Sequence, residues 1–219
     1  MTWICLFAIS HPGLFSLPCL HPPLVLITGA SQGIGIATAK ILASQYNYHV
    51  LIGYYGYLDI LINNAAVLLD HDNTLSLWAL YSRTFTPNVI GTATLTHLLL
   101  PLIRKAKATP PTIISVSSGL GSITYAFDKS VPFHQADTRA YNSSKVAVNM
   151  LVANYHRILE PEGGKVNAVC PGLVATNMTA HMNAGATVEV GATMIVQLAT
   201  AGKDGESGTF TNRDGVVPW

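Results

Sequence analysis

Leu24-Val25-Leu26-Ile27-Thr28-Gly29-Ala30-Ser31-Gln32-Gly33-Ile34-Gly35 runs an apolar strand straight into a glycine-rich turn and then into a helix. Each glycine answers a different steric demand. Gly29 lets the turn tighten, Gly33 lets backbone approach a pyrophosphate with no Cβ in the way, and Gly35 lets helix and strand pack closely. A helix opening at Ile34 then offers free N–H groups and a positive dipole end to phosphate oxygens. Glycine turns of this spacing also close plain βα units, so the meaning of this one depends on its company.

That company begins with Tyr141-Asn142-Ser143-Ser144-Lys145, which sets a phenol and an ammonium four residues apart in the first turns of a long expected helix. At that spacing both side chains share one face. A cation beside a phenol favours the phenolate and brings proton transfer within reach near neutral pH, although the same spacing alone describes an ordinary surface pair. Upstream, Thr112-Ile113-Ile114-Ser115-Val116-Ser117-Ser118-Gly119 reads as a buried strand ending in two serines. They sit at its C-terminal end, where open parallel sheets bind ligands; in isolation such serines merely satisfy the backbone of a turn.

From the glycine turn onward, strand and helix alternate, the pattern of a doubly wound α/β domain. The periodicity predicts helices from Ile34 to about Tyr46, over most of Leu75 to Lys107, from Tyr141 to about Glu160, and from Thr187 to Ala201. Strands are expected at Thr112 to Ser117, Lys165 to Cys170 and Gly208 to Thr211. The fold class is therefore α/β, a Rossmann-like parallel sheet in a three-layer αβα arrangement. Domain boundaries are expected at 1–23, an N-terminal extension that is disordered or non-native, and 24–219, a single domain.

Taken in order, these segments resemble the classical short-chain dehydrogenase/reductase family over nearly everything from Leu24 to Trp219. The motifs as they stand are Thr28 to Gly35, Asn63-Asn64-Ala65-Ala66, Asn88-Val89-Ile90-Gly91, Ser117-Ser118, Tyr141 to Lys145, and Pro171-Gly172-Leu173-Val174-Ala175-Thr176. The closing Arg213-Asp214-Gly215-Val216-Val217-Pro218-Trp219 is similar to carbonyl-reductase-like members, many of them fungal. The resemblance implies an oxidoreductase that interconverts a carbonyl and a secondary alcohol by hydride transfer with a nicotinamide cofactor. It implies that Tyr141 exchanges a proton with the substrate oxygen, and that Lys145 lowers the Tyr141 pKa and holds the nicotinamide ribose. Ser118 would donate to the carbonyl oxygen, and Asn88 would complete a water-linked relay to Lys145. Cofactor contacts would come from Gly29, Ser31, Gly33, Ile34 and Gly35 at the phosphates, Asn64 at the adenosine-side ribose, and Pro171, Gly172, Val174 and Thr176 along the nicotinamide.

Cofactor choice turns on the end of the second strand, where an acid would bind the 2′-hydroxyl of NAD. This chain has Tyr54 and Tyr55 there, and Gln32 at the turn position where many NADP-dependent relatives carry Arg or Lys. The reading favours NADP(H) over NAD(H).

Against the family, the chain lacks a unit between His49 and Asn63: one strand and two helices. His49-Val50-Leu51-Ile52-Gly53 reads as the second strand and Asp59-Ile60-Leu61-Ile62-Asn63 as the fourth, joined only by Tyr54 to Leu58. To flank the first strand on opposite sides, the chain would have to return about 17 Å along the sheet and shift about 10 Å across it. Five residues reach at most about 18 Å, and parallel crossovers normally need a dozen or more. The expectation is that both strands cannot hold their family positions. Met1 to Pro23 is apolar and rich in Pro and His, has no Lys or Arg, and is interrupted at Ser10-His11-Pro12-Gly13, unlike a secretory signal or a membrane span. A misassigned exon boundary would account for both oddities. The alternative function is therefore a catalytically silent truncated isoform, or mis-spliced product, that binds no cofactor.

Smaller departures bear on the site. Pro87 lacks an N–H and would kink the helix just before Asn88. Tyr125 to His134 is expected as an added loop that could wall the substrate site with aromatics, and the short Asn177 to Ala186 stretch argues for an open site.

Composition fits one soluble domain. With 219 residues, a formal charge of +1 and 11% charged residues, the chain has no electrostatic footprint for nucleic acid and no basic run. Cys5, Cys19 and Cys170 are scattered, and the histidines show no ligand spacing, so neither a disulfide framework nor a metal site is expected. The expected partner is a small-molecule carbonyl or alcohol, with no membrane and a cytoplasmic location; monomer and homo-oligomer both stay open.

Overall fold

Four consecutive apolar residues form β1 (Leu24–Ile27), and the computed structural model, which describes residues 22–50 and 56–219, builds a sheet outward from it. The strands that follow are β2 (His49–Val50), β3 (Ile60–Asn63), β4 (Thr112–Val116), β5 (Lys165–Val169), β6 (Phe210–Asn212) and β7 (Gly215–Val216). Among the described residues the sheet has seven strands in the order β2-β1-β3-β4-β5-β6-β7. All pairs are parallel except β6 with β7, a short antiparallel return not anticipated from the sequence.

Alternate residues of each strand feed two separate cores, as side chains of period two must. Val25, Ile60, Ile62, Ile114, Val116 and Val169 pack on one face with Leu42 of α1 (Gly33–Gln45) and Ile195 of α6 (Val188–Thr200). Leu61, Ile113, Val166, Ala168 and Phe210 pack on the other with Ile103 and Val152. Ile103 belongs to α3 (Thr92–Ile103) and Val152 to α5 (Arg139–Leu159). These are the three αβα layers.

The expectation that the second strand could not share β1 with β3 is overturned. His49 and Val50 pair with Leu24 and Val25 on one side, while Ile60 pairs with Val25 on the other. Both neighbours therefore meet β1 at the same level, at Val25. Only a lateral shift of two strand spacings, about 10 Å, separates them. The cost falls on β2, which keeps two described residues. Leu51 to Gly53, Tyr54, Tyr55 and the opening extension through residue 21 lie outside the described residues.

Pro87 does not break its helix. Between α2 (Leu77–Phe85) and α3, Thr86–Gly91 forms a π-helical turn with Pro87 in its first turn, so the helical run continues past the proline with a wider turn. The Tyr125 to His134 segment begins in a short helix, α4 (Ile123–Phe127), capped by Ser122.

Candidate active site

Gly29 has φ +67°, in the left-handed region where glycine is at ease. A Cβ on Gly35 would overlap the Gly29 carbonyl oxygen and sit 2.6 Å from Asn64 Nδ2, so the start of α1 lies directly on the turn. Asn64 ties the turn to the end of β3. Its Nδ2 donates to the Thr28 and Gly29 carbonyls at 2.9 and 3.4 Å, and its backbone N–H donates to Thr28 Oγ1 at 2.9 Å.

At the C-terminal end of β4, Ser118 opens a single 3₁₀ turn, Gly119–Gly121, and its Oγ accepts the Leu120 N–H at 3.2 Å. That turn is seated on α5: a Cβ on Gly121 would lie 2.7 Å from the Lys145 Cβ, and Asn149 Nδ2 donates to the Gly121 carbonyl at 3.0 Å. Ser117, the other serine, donates to Asn149 Oδ1 at 2.6 Å and so faces inward as a tether. Ser118 is thereby left to face Tyr141, with which it shares a hydrogen bond.

Tyr141 and Lys145 are both buried, at 7% and 3% exposure. Burial pushes the Tyr141 phenol well above its usual range, the neighbouring Cys170 adds to the rise, and the bond with Ser118 opposes it. This departs from the expectation that Lys145 lowers the phenol. The reason is geometric: Lys145 Nζ stands 5.5 Å from the centroid of the Tyr141 ring and donates to the Val116 carbonyl at 2.8 Å. Burial in turn pushes the Lys145 ammonium down to about 8, partly offset by Cys170. The Cys170 thiol closes the floor, accepting the Gly119 N–H at 3.2 Å, with its own pKa raised by burial.

Asn88 lies in the π turn and is almost fully buried. Its side chain exchanges two bonds with the Val67 backbone, at 2.8 and 2.9 Å, and donates to Ser144 Oγ at 3.0 Å. Through Ser144 it grips α5 one residue before Lys145.

After β5, Pro171 to Thr176 lead from the floor of the site to the glycine turn. Gly172 has φ +77°, Val174 is buried and bridges Ala186, and a Cβ on Gly33 would lie 3.4 Å from Thr176 Cγ2. Gln32 accepts a bond from Asn177 Nδ2 at 2.8 Å across the same mouth. A glycine turn that Cβ atoms would fill, and a loop joining it to Ser118, Tyr141 and Lys145, fit the phosphate and nicotinamide ends of a dinucleotide. Ser31 and Ile34 flank that turn; Tyr54 and Tyr55, at the adenosine end, lie outside the described residues.

Two carboxylates escaped the sequence reading. Asp59 is fully buried and accepts the Leu24 N–H at 2.8 Å through one oxygen, and the Lys107 and Ala108 N–H groups through the other. Asp70 accepts the N–H groups of Ala140 and Tyr141 at 2.8 and 3.1 Å. Neither has a local motif; the only hint is that α5 carries no acid in its first turn and no side-chain bond from Thr138 at its cap.

Comparison with known proteins identifies the family. The short chain dehydrogenase family matches residues 46–187. The short-chain dehydrogenase anuI of Penicillium roqueforti is 33% identical over 230 positions, covering 84% of this chain and 91% of the relative. That alignment is longer than the 219-residue chain itself, so it opens gaps on this chain's side. The short-chain dehydrogenase/reductase tropE of Talaromyces stipitatus is 28% identical, over 88% of this chain and 96% of its own. Among solved structures, the NADPH-bound carbonyl reductase from chicken fatty liver superposes with a TM-score of 0.77 at 23% identity, covering 91% of this chain and all of that one. The chain belongs to the short-chain dehydrogenase family, a family of oxidoreductases that use nicotinamide cofactors.

Proposed function

We propose that this chain is an NADP(H)-dependent oxidoreductase that interconverts a small-molecule carbonyl and a secondary alcohol in the cytoplasm, with Tyr141 as acid and base. The observation that carries the reading is the meeting of Ser118, Tyr141 and Lys145 at the C-terminal end of β4, joined through Pro171 to Thr176 to the glycine turn. The cofactor, when bound, supplies or accepts the hydride. In the reducing direction Tyr141 Oη gives its proton to the substrate oxygen while Ser118 Oγ donates to that same oxygen as negative charge develops. Lys145, buried and held on the Val116 carbonyl, places a positive charge beneath the phenol as it becomes phenolate. Pro171, Gly172, Val174 and Thr176 would border the nicotinamide, and Gly29, Ser31, Gly33, Ile34 and Gly35 the phosphates. NADP(H) is favoured because the chain offers Tyr54 and Tyr55, and no acid, where NAD would be anchored.

A second reading, a silent truncated protein, is motivated by one feature: only nine residues, 51–59, join β2 to β3. One experiment separates the two. The unfolding midpoint of the 219-residue chain is measured with and without NADPH, and NADPH oxidation is followed with a carbonyl panel. A raised midpoint and turnover support the enzyme; a cooperative transition that NADPH and NADH both leave unmoved, with no turnover, supports the silent form.

A further inference from the structure

The loop that follows β3 touches three parts of the site within seven residues. Asn64 bonds the glycine turn, the Val67 backbone exchanges two bonds with Asn88, and Asp70 receives the first free amides of α5. The last of these contacts is the one that the fold does not otherwise require. Helix α5 begins with unpaired N–H groups, as every helix does, and its own cap residue leaves them so: Thr138 turns its hydroxyl to Asn142 instead, at 2.8 Å. A carboxylate from seventy residues upstream fills the gap with one oxygen on Ala140 and the other on Tyr141.

We propose that Asp70 is a positioning residue for the Tyr141 chemistry: by gripping the amide of Tyr141 itself, it sets the phenol and Lys145, one turn on, in register with the glycine turn. The inference rests on the reading of Tyr141 and Lys145 as the reacting pair. Asp70 touches no reacting atom, and its effect is transmitted through the backbone of α5. A misplacement of about 1 Å between reacting groups is enough to cost roughly 10²-fold in rate. Asn88, which sits in the π turn, is tied to the loop at Val67 and bonds Ser144, provides a second grip one turn along and keeps the helix docked when Asp70 is replaced. The expected loss therefore appears in rate before it appears in folding.

The test compares wild type, Asp70→Asn and Asp70→Ala. Hydrogen exchange is read on a peptide spanning Thr138 to Asn142, and steady-state kinetics with NADPH and an aromatic diketone probe. In Asp70→Ala the Ala140 and Tyr141 amides exchange at least about tenfold faster, and kcat falls about ten- to hundredfold while KM for NADPH stays within about twofold. Asp70→Asn, which keeps one acceptor, lies between. Unchanged exchange in Asp70→Ala overturns the inference whether or not the chain turns over. So does faster exchange with kcat unaltered, which would make the contact a plain helix cap. A wild-type chain that neither binds NADPH nor reduces the probe brings down the catalytic reading beneath it, and the positioning role with it.

Discussion

The two flanks of β1 are secured by different means. Toward β3 the sheet continues through five strands, and the site is knitted by side chains: Asn64 to the turn, Asn88 to α5, Asn149 to the 3₁₀ turn. Toward β2 the described contact is the pairing of His49 with Leu24 and Val50 with Val25. The beginning of β1 is pinned from the β3 side by the Asp59 carboxylate, at the opposite end of the strand from the glycine turn. The contrast teaches that the C-terminal ends of the strands are held independently of the β2 flank, by contacts reaching across from β3, β4 and α5. The N-terminal ends of the strands bear on stability, and their C-terminal ends carry the chemistry.

That division is broken most sharply by Tyr141→Phe. Turnover should fall by about 10³-fold, while the melting midpoint and its response to NADPH stay near wild type; a parallel loss of midpoint would mean that the phenol holds the fold as well. Asp59→Ala should show the reverse. It strands the N–H groups of Leu24, Lys107 and Ala108, so urea unfolding should report a loss of about 3 kcal/mol or more, with kcat of the folded fraction retained.

A smaller effect comes from Lys145. Its folded pKa of about 8 lies below the 10.5 of the free side chain. Above pH 8 the unfolded chain therefore holds a proton that the folded chain has released, and stability rises with pH. Tyr141 and Cys170, both raised, act in the opposite sense, the thiol growing in toward pH 9 and the phenol toward pH 10, so the lysine leads only near pH 8 to 9. Lys145→Met should flatten the rise in that window; an unaltered slope would mean that the ammonium is solvated after all. Least of all should come from Arg104→Ala, which removes a half-exposed pair with Glu162 at 2.8 Å far from the site. A change above about 1 kcal/mol would show that this ion pair at the strands' N-terminal ends supports the fold.

Much of this was legible in the chain. The glycine turn, the α/β alternation and the Ser118, Tyr141, Lys145 set could be read because each is coded by neighbouring residues whose period or spacing survives in one dimension. Asp59 and Asp70 could not, since their meaning comes from amides 35 to 71 residues away. The placement of β2 was misjudged for a related reason. Reach depends on register as well as on residue number, and Val50 and Ile60 stand level with each other on either side of Val25. The direction of the Tyr141 pKa was likewise hidden, because four residues of spacing say nothing of how deeply both groups are buried or that the Val116 carbonyl competes for the ammonium.

The π turn at Thr86–Gly91 has a consequence for how this site can change over time. Such a turn is a helix holding one residue too many, and the surplus is what swings Asn88 inward. Deleting a single residue there would rotate Asn88 by about 100° off its partners, and the Val67 backbone and Ser144 would lose it together. The surplus residue therefore sets which way Asn88 points, and a length change of one residue in this turn would redirect it.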